Sequence, residues 1–388
     1  MRLLLLFKTS PETPTYKTPS SFGVQGEVLA RGLRELGIKY AVVDRRLDKE
    51  KIQAYKDFKP DFVVGIGYWG DVPEIVLHPE QHGQKPVPWL VPDGAVLNYQ
   101  RDLNSLDLVL ATSNWAKEVL IRDGVNAALV KVVHEGVDTS VFKPLPGAEP
   151  QVEKFRERFG ATKDKILLLT VGGEGKSKGF HEVAAALEIL GNKLPDWRYV
   201  VKVASSPTGN KQTSEDAALA TKLGFQDKVT FFSEMLSKHE QAALFNAADI
   251  YASPSHNEGF GRPLVEAAAC GKPVLTVNGT ATGELVSHGV TGFAAKVEKG
   301  IYKKEFKVGE KEGLEEKVIV FDKPKLVEVR ADPGDLAHYL RELTDGRLRK
   351  KMGEAARKFV EEHFDYRVSA RKLVEAIKGT FGELWTKK

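Results

Sequence analysis

Ile250-Tyr251-Ala252-Ser253-Pro254-Ser255-His256-Asn257-Glu258-Gly259-Phe260-Gly261-Arg262-Pro263-Leu264-Val265-Glu266 runs from a short apolar stretch, through a loop with two glycines, into a segment opened by proline. Ile250–Ala252 reads as a buried strand. Pro263–Cys270 reads as a helix, because proline fits the first helical turn, where its missing N–H is not needed. Gly259 and Gly261 let the backbone approach a ligand closely, and the amides at a helix start favour anions such as a diphosphate. Glu258 in the loop and Glu266 just over a turn into the helix can reach one elongated ligand, and a carboxylate pairs well with vicinal hydroxyls. The opposing reading makes Glu258 a cap and Glu266 a surface residue. From these residues alone both readings stand.

The strand-then-helix pattern of this stretch recurs along the whole chain. Leu3–Phe7, Ala41–Val43, Phe62–Ile66, Pro88–Val91, Leu108–Ala111 and Val130–His134 read as strands, with helices at Gly26–Leu36 and Trp115–Asp123. In the second half Ile166–Val171, Tyr199–Val203, Val229–Phe232 and Pro273–Val277 join Ile250–Ala252 as strands. Phe180–Leu190, Ser214–Leu223 and Glu240–Ala248 are their helices. Such alternation predicts α/β architecture with parallel sheets covered by helices. At 388 residues, two doubly wound Rossmann-like domains facing across a cleft are expected. The first spans 1–145, ending where Phe142-Lys143-Pro144-Leu145-Pro146-Gly147 breaks the pattern. The second spans 146–365. Within it, 296–330 is dense in Lys and Glu, with β-type runs at Val318–Phe321 and Leu326–Val329, and reads as an inserted surface β-hairpin or flap. Leu336–Leu384 is periodic at helical spacing.

Composition narrows the function classes. Hydrophobic residues make up 42% and charged residues 28%, as in an ordinary globular protein. A net charge of +4, from 57 basic and 53 acidic residues, favours phosphate-bearing ligands over nucleic acid, whose binders concentrate basic residues on one face. The single Cys270 excludes internal disulfides and cysteine-rich metal sites and fits a cytoplasmic location. Met1–Phe7 has too short an apolar run for a signal peptide, and no stretch approaches the roughly 18 apolar residues that span a bilayer. A peripheral membrane contact and the oligomeric state stay open.

Two glycine patterns resemble nucleotide motifs and fail on context. Gly65-Ile66-Gly67-Tyr68-Trp69-Gly70 follows a strand, but no amphipathic helix opens after it, so a plain turn is expected. Gly172-Gly173-Glu174-Gly175-Lys176-Ser177 ends like a P-loop, yet Thr170 stands where the leading glycine belongs. It still predicts a phosphate-facing turn before the helix Phe180–Leu190.

Glu258 to Glu266 resembles the E-x7-E signature of retaining glycosyltransferases with the GT-B fold, the class that includes glycogen synthases, sucrose-phosphate synthases and phosphatidylinositol mannosyltransferases (glycosyltransferase family four type). Other segments carry the resemblance along nearly the whole chain. Ser21-Phe22-Gly23-Val24-Gln25 looks like the family's glycine loop. His134-Glu135-Gly136-Val137-Asp138 with Phe142 and Pro144 resembles its interdomain segment, and Val171-Gly172 with Lys178-Gly179 its phosphate segment. Pro273-Val274, Gly283-Glu284, Gly289 and Gly292-Phe293 continue the pattern.

The resemblance implies transfer of a hexose from a UDP- or GDP-sugar to an acceptor hydroxyl, with retention and without a metal or other cofactor. The acceptor is a small molecule, a glycan or a lipid-linked sugar. Glu266 would bind the donor ribose and Glu258 the hydroxyls of the transferred sugar. Gly259, Phe260, Gly261 and Arg262 would hold diphosphate and sugar, with Gly172 and Lys176 beside them. Lys178 would neutralise the leaving diphosphate, Gly23 would close on the phosphates from the first domain, and Ser233 would face the nucleobase. Asp93 is the candidate catalytic contact to sugar or acceptor, against the simpler reading of Asp93-Gly94 as a turn. His256 would touch donor or solvent. The segment 366–388 would cross back to the first domain. One departure is clear: the family usually has Arg where this chain has Gly173, which leaves room for a non-catalytic sugar-nucleotide-binding protein. An epimerase or hydrolase of the same architecture is the other alternative.

Overall fold

The computed structural model describes residues 1–9, 21–92, 94–146, 149–162, 164–173, 175–204, 207–309 and 315–382. By contact they divide into two units, Met1–Gly136 with Tyr302–Val327 and Phe364–Lys388, and Val137–Ile301 with Glu328–His363.

In the first unit the apolar runs form β1 (Arg2–Phe7), β2 (Lys39–Asp44), β3 (Phe62–Gly67), β4 (Pro86–Leu90), β5 (Val109–Ala111) and β6 (Val130–Val132). They make a parallel sheet in the order β2-β1-β3-β4-β5-β6. Leu3 to Leu6 are fully buried, as a strand covered on both faces must be. The helices are α1 (Ser21–Glu35), α2 (Asp48–Phe58), α3 (His78–Gln81), α4 (Gln100–Asn104) and α5 (Asn114–Arg122). Because α1 begins at Ser21, Gly23 lies in its first turn and is buried, not in a loop ahead of it. In the second glycine pattern of this unit, β3 ends at Gly67 and passes into a 3-10 turn, Trp69–Asp71. A Cβ at Gly67 would stand 2.4 Å from Asp71 Oδ2, so side-chain packing accounts for this glycine.

The second unit contains β7 (Ile166–Val171), β8 (Trp197–Lys202), β9 (Val229–Phe232), β10 (Ile250–Ala252), β11 (Val274–Val277) and β12 (Gly292–Ala295). Their parallel order is β12-β11-β10-β7-β8-β9. Around them lie α6 (Pro150–Arg158), α7 (Phe180–Leu190), α8 (Pro207–Lys222), α9 (Lys238–Ala247), α10 (Arg262–Ala269), α11 (Ala281–Glu284), α12 (Pro333–Glu342) and α13 (Gly346–His363). The last helix, α14 (Tyr366–Phe381), packs in the first unit. Its Phe381 ring lies 4.7 Å from that of Phe62, and a Cβ at Gly32 of α1 would stand 2.6 Å from Ala370 Cβ.

The insertion forms a two-stranded hairpin, as its sequence reading expects, but with different strand bounds. Both β-type runs fall in one long strand, β14 (Lys317–Ala331), whose partner is β13 (Val297–Val308). Tyr302–Val327 belongs by contact to the first unit, not the second, because Val308 is buried in that unit's core and Ile319 packs against it. A buried carboxylate fixes this docking. Asp123 accepts from Lys325 Nζ at 2.7 Å, from Arg122 Nη2 at 2.8 Å and from the Val96 amide at 2.8 Å. Arg122 Nη1 also donates to the Leu326 carbonyl at 2.8 Å. The division at Gly136 likewise falls before the expected 145, since the Phe142 carbonyl accepts from Arg357 of α13 at 2.6 Å in the second unit. No helix of the described residues is long and apolar enough to cross a membrane.

Candidate functional site

Two strand-to-helix turns of the second unit meet at the carboxyl ends of neighbouring strands β7 and β10, where doubly wound sheets present ligand sites. The first turn leaves β7 through Gly172 and Gly173, tightens into a 3-10 turn at Lys176–Lys178 and enters α7 through Gly179. The second leaves β10 through Ser253–Ser255 and enters α10 after Gly261. A Cβ at Gly179, whose φ is +85°, would stand 2.5 Å from the Pro254 carbonyl oxygen, so only glycine lets the turns approach this closely. The His256 amide closes the contact by donating to the Ser177 carbonyl at 3.0 Å.

This packing brings together two residues that are 80 positions apart: Lys178 Nζ is hydrogen-bonded and ion-paired to Glu258 Oε2. Both side chains are about one-fifth exposed, at 19% each, so the pair is open to a ligand. The Lys178 stem lies across Gly172, where a Cβ would stand 2.5 Å from Lys178 Cγ. Lys176 is half-buried on the same turn. Opposite, Phe260 is buried, and Gly261 takes a φ of +107° beside Thr282, whose Cγ2 a Cβ would meet at 2.7 Å.

Glu266 lies inside the unit and not on its surface, at 4% exposure. Burial pushes its carboxyl up to about 7, against the opposing influence of Arg262 and the Gln241 hydrogen bond. Gln241 Nε2 donates to Glu266 Oε2 at 2.7 Å, and Arg262 Nε lies 3.5 Å from Oε1. A desolvated carboxylate of this kind is a strong acceptor for sugar hydroxyls. Ser233 stands exposed in the loop between β9 and α9. Gly23 belongs to the first unit, and Asp93 lies outside the described residues.

His256 differs from its expected role. Its ring is 4% exposed and turned inward, with Nε2 2.8 Å from Glu182 Oε2. Arg330 Nε lies 3.7 Å from the other oxygen of Glu182, and the Val329 amide donates to the His256 carbonyl at 2.8 Å. His256 thus fixes the loop ahead of Glu258 and does not offer Nε2 to a ligand. Sequence reasoning missed Glu182, Arg330 and Gln241. The one available signal was Glu182, an acid in the first turn of the mostly apolar segment Phe180–Leu190. Among the described residues, no group of three or more His, Cys, Asp or Glu is placed to hold a metal ion.

Residues 151–301 match the family described as Glycosyl transferases group 1. Over 187 residues the chain is 35% identical to D-inositol 3-phosphate glycosyltransferase of Mycobacterium bovis (strain BCG / Pasteur 1173P2). The same figure holds for that enzyme of Mycobacterium tuberculosis (strain ATCC 25618 / H37Rv). The matched stretch is 48% of this chain and spans 36% of the length of these relatives. A crystal structure of Anabaena Alr3699/HepE in complex with UDP and glucose is similar over 98% of this chain and 100% of that one, with a TM-score of 0.72 at 18% identity. Sucrose-phosphate synthase from Thermosynechococcus elongatus is similar over 99% and 100%, with a TM-score of 0.73 at 16% identity. The fold is GT-B, two doubly wound units in one chain.

Proposed function

From the group 1 glycosyl transferase domain at residues 151–301, we propose that this protein transfers a hexose from a nucleoside-diphosphate sugar to an acceptor hydroxyl, with retention of configuration. The carrying observation is the Lys178–Glu258 pair at the loop that leads into α10, the helix on which buried Glu266 sits.

Each group has a chemical task. Glu266 accepts from the ribose hydroxyls, and Glu258 accepts from hydroxyls of the hexose. Lys178 then exchanges part of its contact with Glu258 for the diphosphate and stabilises charge as the glycosidic bond to the leaving group breaks. The positive end of α10 adds to the same field. The acceptor attacks the face that the diphosphate is leaving, the anomeric carbon passes through an oxocarbenium-like state, and the diphosphate takes the acceptor proton. The helix terminus and Lys178 supply positive charge at the place where other enzymes use a divalent ion, so turnover is proposed to be metal-independent. UDP is the favoured nucleotide, supported by the UDP bound in the similar Anabaena structure.

The test is release of nucleoside diphosphate from UDP- and GDP-hexoses, with and without candidate acceptors and with a chelator present. Acceptor-dependent release that survives chelation supports the reading. Release equal with and without any acceptor would make the protein a hydrolase, and no release from any donor would make it a binding protein.

A further inference from the structure

β8 lies between β7, which carries the Lys178 turn, and β9, which leads to Ser233. Its last residue is Lys202, and the strand register shows which way it faces. Tyr251 of β10 pairs with Leu169 of β7, which pairs with Val200, while Val171 pairs with Lys202. Side chains alternate along a strand, so Tyr251, Val200 and Lys202 share one face of the sheet. Tyr251 packs on Phe245 of α9, with ring centroids 5.8 Å apart, so this is the face of α9 and α10, the helices that carry Gln241 and Glu266. The opposite face is taken by Tyr199 against Phe180 of α7.

Lys202 also borders the anion-binding turn. Its carbonyl accepts from the Gly172 amide at 3.0 Å, and the Ala204 amide donates to Gly173 at 3.1 Å. Among the described residues, a Cβ at Gly173 would meet nothing within 4 Å.

Charge completes the argument. Lys178 is paired with Glu258, so these two charges offset each other in the free protein. Lys202 is half-buried, and no carboxylate of the described residues lies within ion-pair reach of it. Burial alone depresses its basicity, with no neighbouring charge offsetting that effect. An ammonium that is partly desolvated and uncompensated gains strongly from an arriving anion.

We infer that Lys202 is a second cationic contact for the donor diphosphate, acting from β8 while Lys178 acts from the β7 turn. This rests on the nucleoside-diphosphate reading of the site.

Calorimetric titration of the full chain with UDP, GDP, uridine and guanosine tests it, using wild type, Lys202→Met and Lys202→Arg. Methionine keeps the stem and removes the charge. Loss of a charge-assisted contact predicts a diphosphate affinity about 10- to 100-fold weaker in Lys202→Met, with nucleoside affinity unchanged. Lys202→Arg should recover most of the loss, and the wild-type advantage should shrink as salt is raised. Lys202→Gln replaces the methionine variant if that variant does not fold. Equal diphosphate affinity in wild type and Lys202→Met overturns the Lys202 assignment alone. Wild type that binds neither diphosphate overturns the donor reading and takes this inference with it.

Discussion

Glu266→Gln should raise the stability of the protein above pH 7 while weakening its hold on the donor. The carboxyl titrates near the ordinary 4.5 in the unfolded chain and at about 7 in the folded one. Between those values the folded state keeps a proton that the unfolded chain has released. The extra stability that comes from holding the proton is therefore fully present below pH 4.5 and is lost as pH rises through about 7. The gap corresponds to about 3 kcal/mol at most. Part of this is offset in the variant, because glutamine leaves Arg262 without its carboxylate, 3.5 Å away. Thermal melting from pH 4 to pH 9 on both proteins reads the effect, since groups unaffected by the substitution cancel in the difference. The wild-type midpoint should fall relative to Glu266→Gln across that window, with the gap greatest at alkaline pH. A difference that does not vary with pH would show that Glu266 is not desolvated as the packing around Gln241 and α10 requires.

Glu258→Ala should abolish sugar transfer and leave nucleoside diphosphate binding intact or tighter, since Lys178 loses its internal partner; calorimetry beside a turnover assay separates the two effects. Gly261→Ala should cost about 1–3 kcal/mol and weaken donor binding, because its φ of +107° and the 2.7 Å approach to Thr282 leave no place for a Cβ; chemical denaturation and UDP titration check this. In the first unit, Asp123→Ala should strand Lys325 and Arg122 and cost about 3–5 kcal/mol. Hydrogen exchange should then quicken across residues 302–309 and 315–327, and unchanged protection there would mean that Val308 and Ile319 alone hold the hairpin.

Local pattern was enough for the strand and helix elements around the site. β7 and α7 fall where the runs Ile166–Val171 and Phe180–Leu190 place them, because parallel strands are buried on both faces and stand out as unbroken apolar stretches. The short strand β12 and the polar helices α2 and α6 left no comparable trace, since their burial depends on neighbours distant in sequence. The spacing of Glu258 and Glu266 likewise placed one carboxylate in a loop and the other in a helix.

The chain alone thus determined the alternating α/β order, the glycine turns and the chemical types gathered around them, because backbone conformation and hydrophobic period are local properties. Tertiary structure decided what those side chains do. It turned His256 inward onto Glu182, paired Lys178 with Glu258 and buried Glu266 until its carboxyl shifted to about 7. It also assigned Tyr302–Val327 to the first unit through Asp123. These outcomes depend on desolvation and on partners 74, 80 and 202 residues away in sequence. No local pattern encodes which surface a side chain will meet once the sheets are assembled.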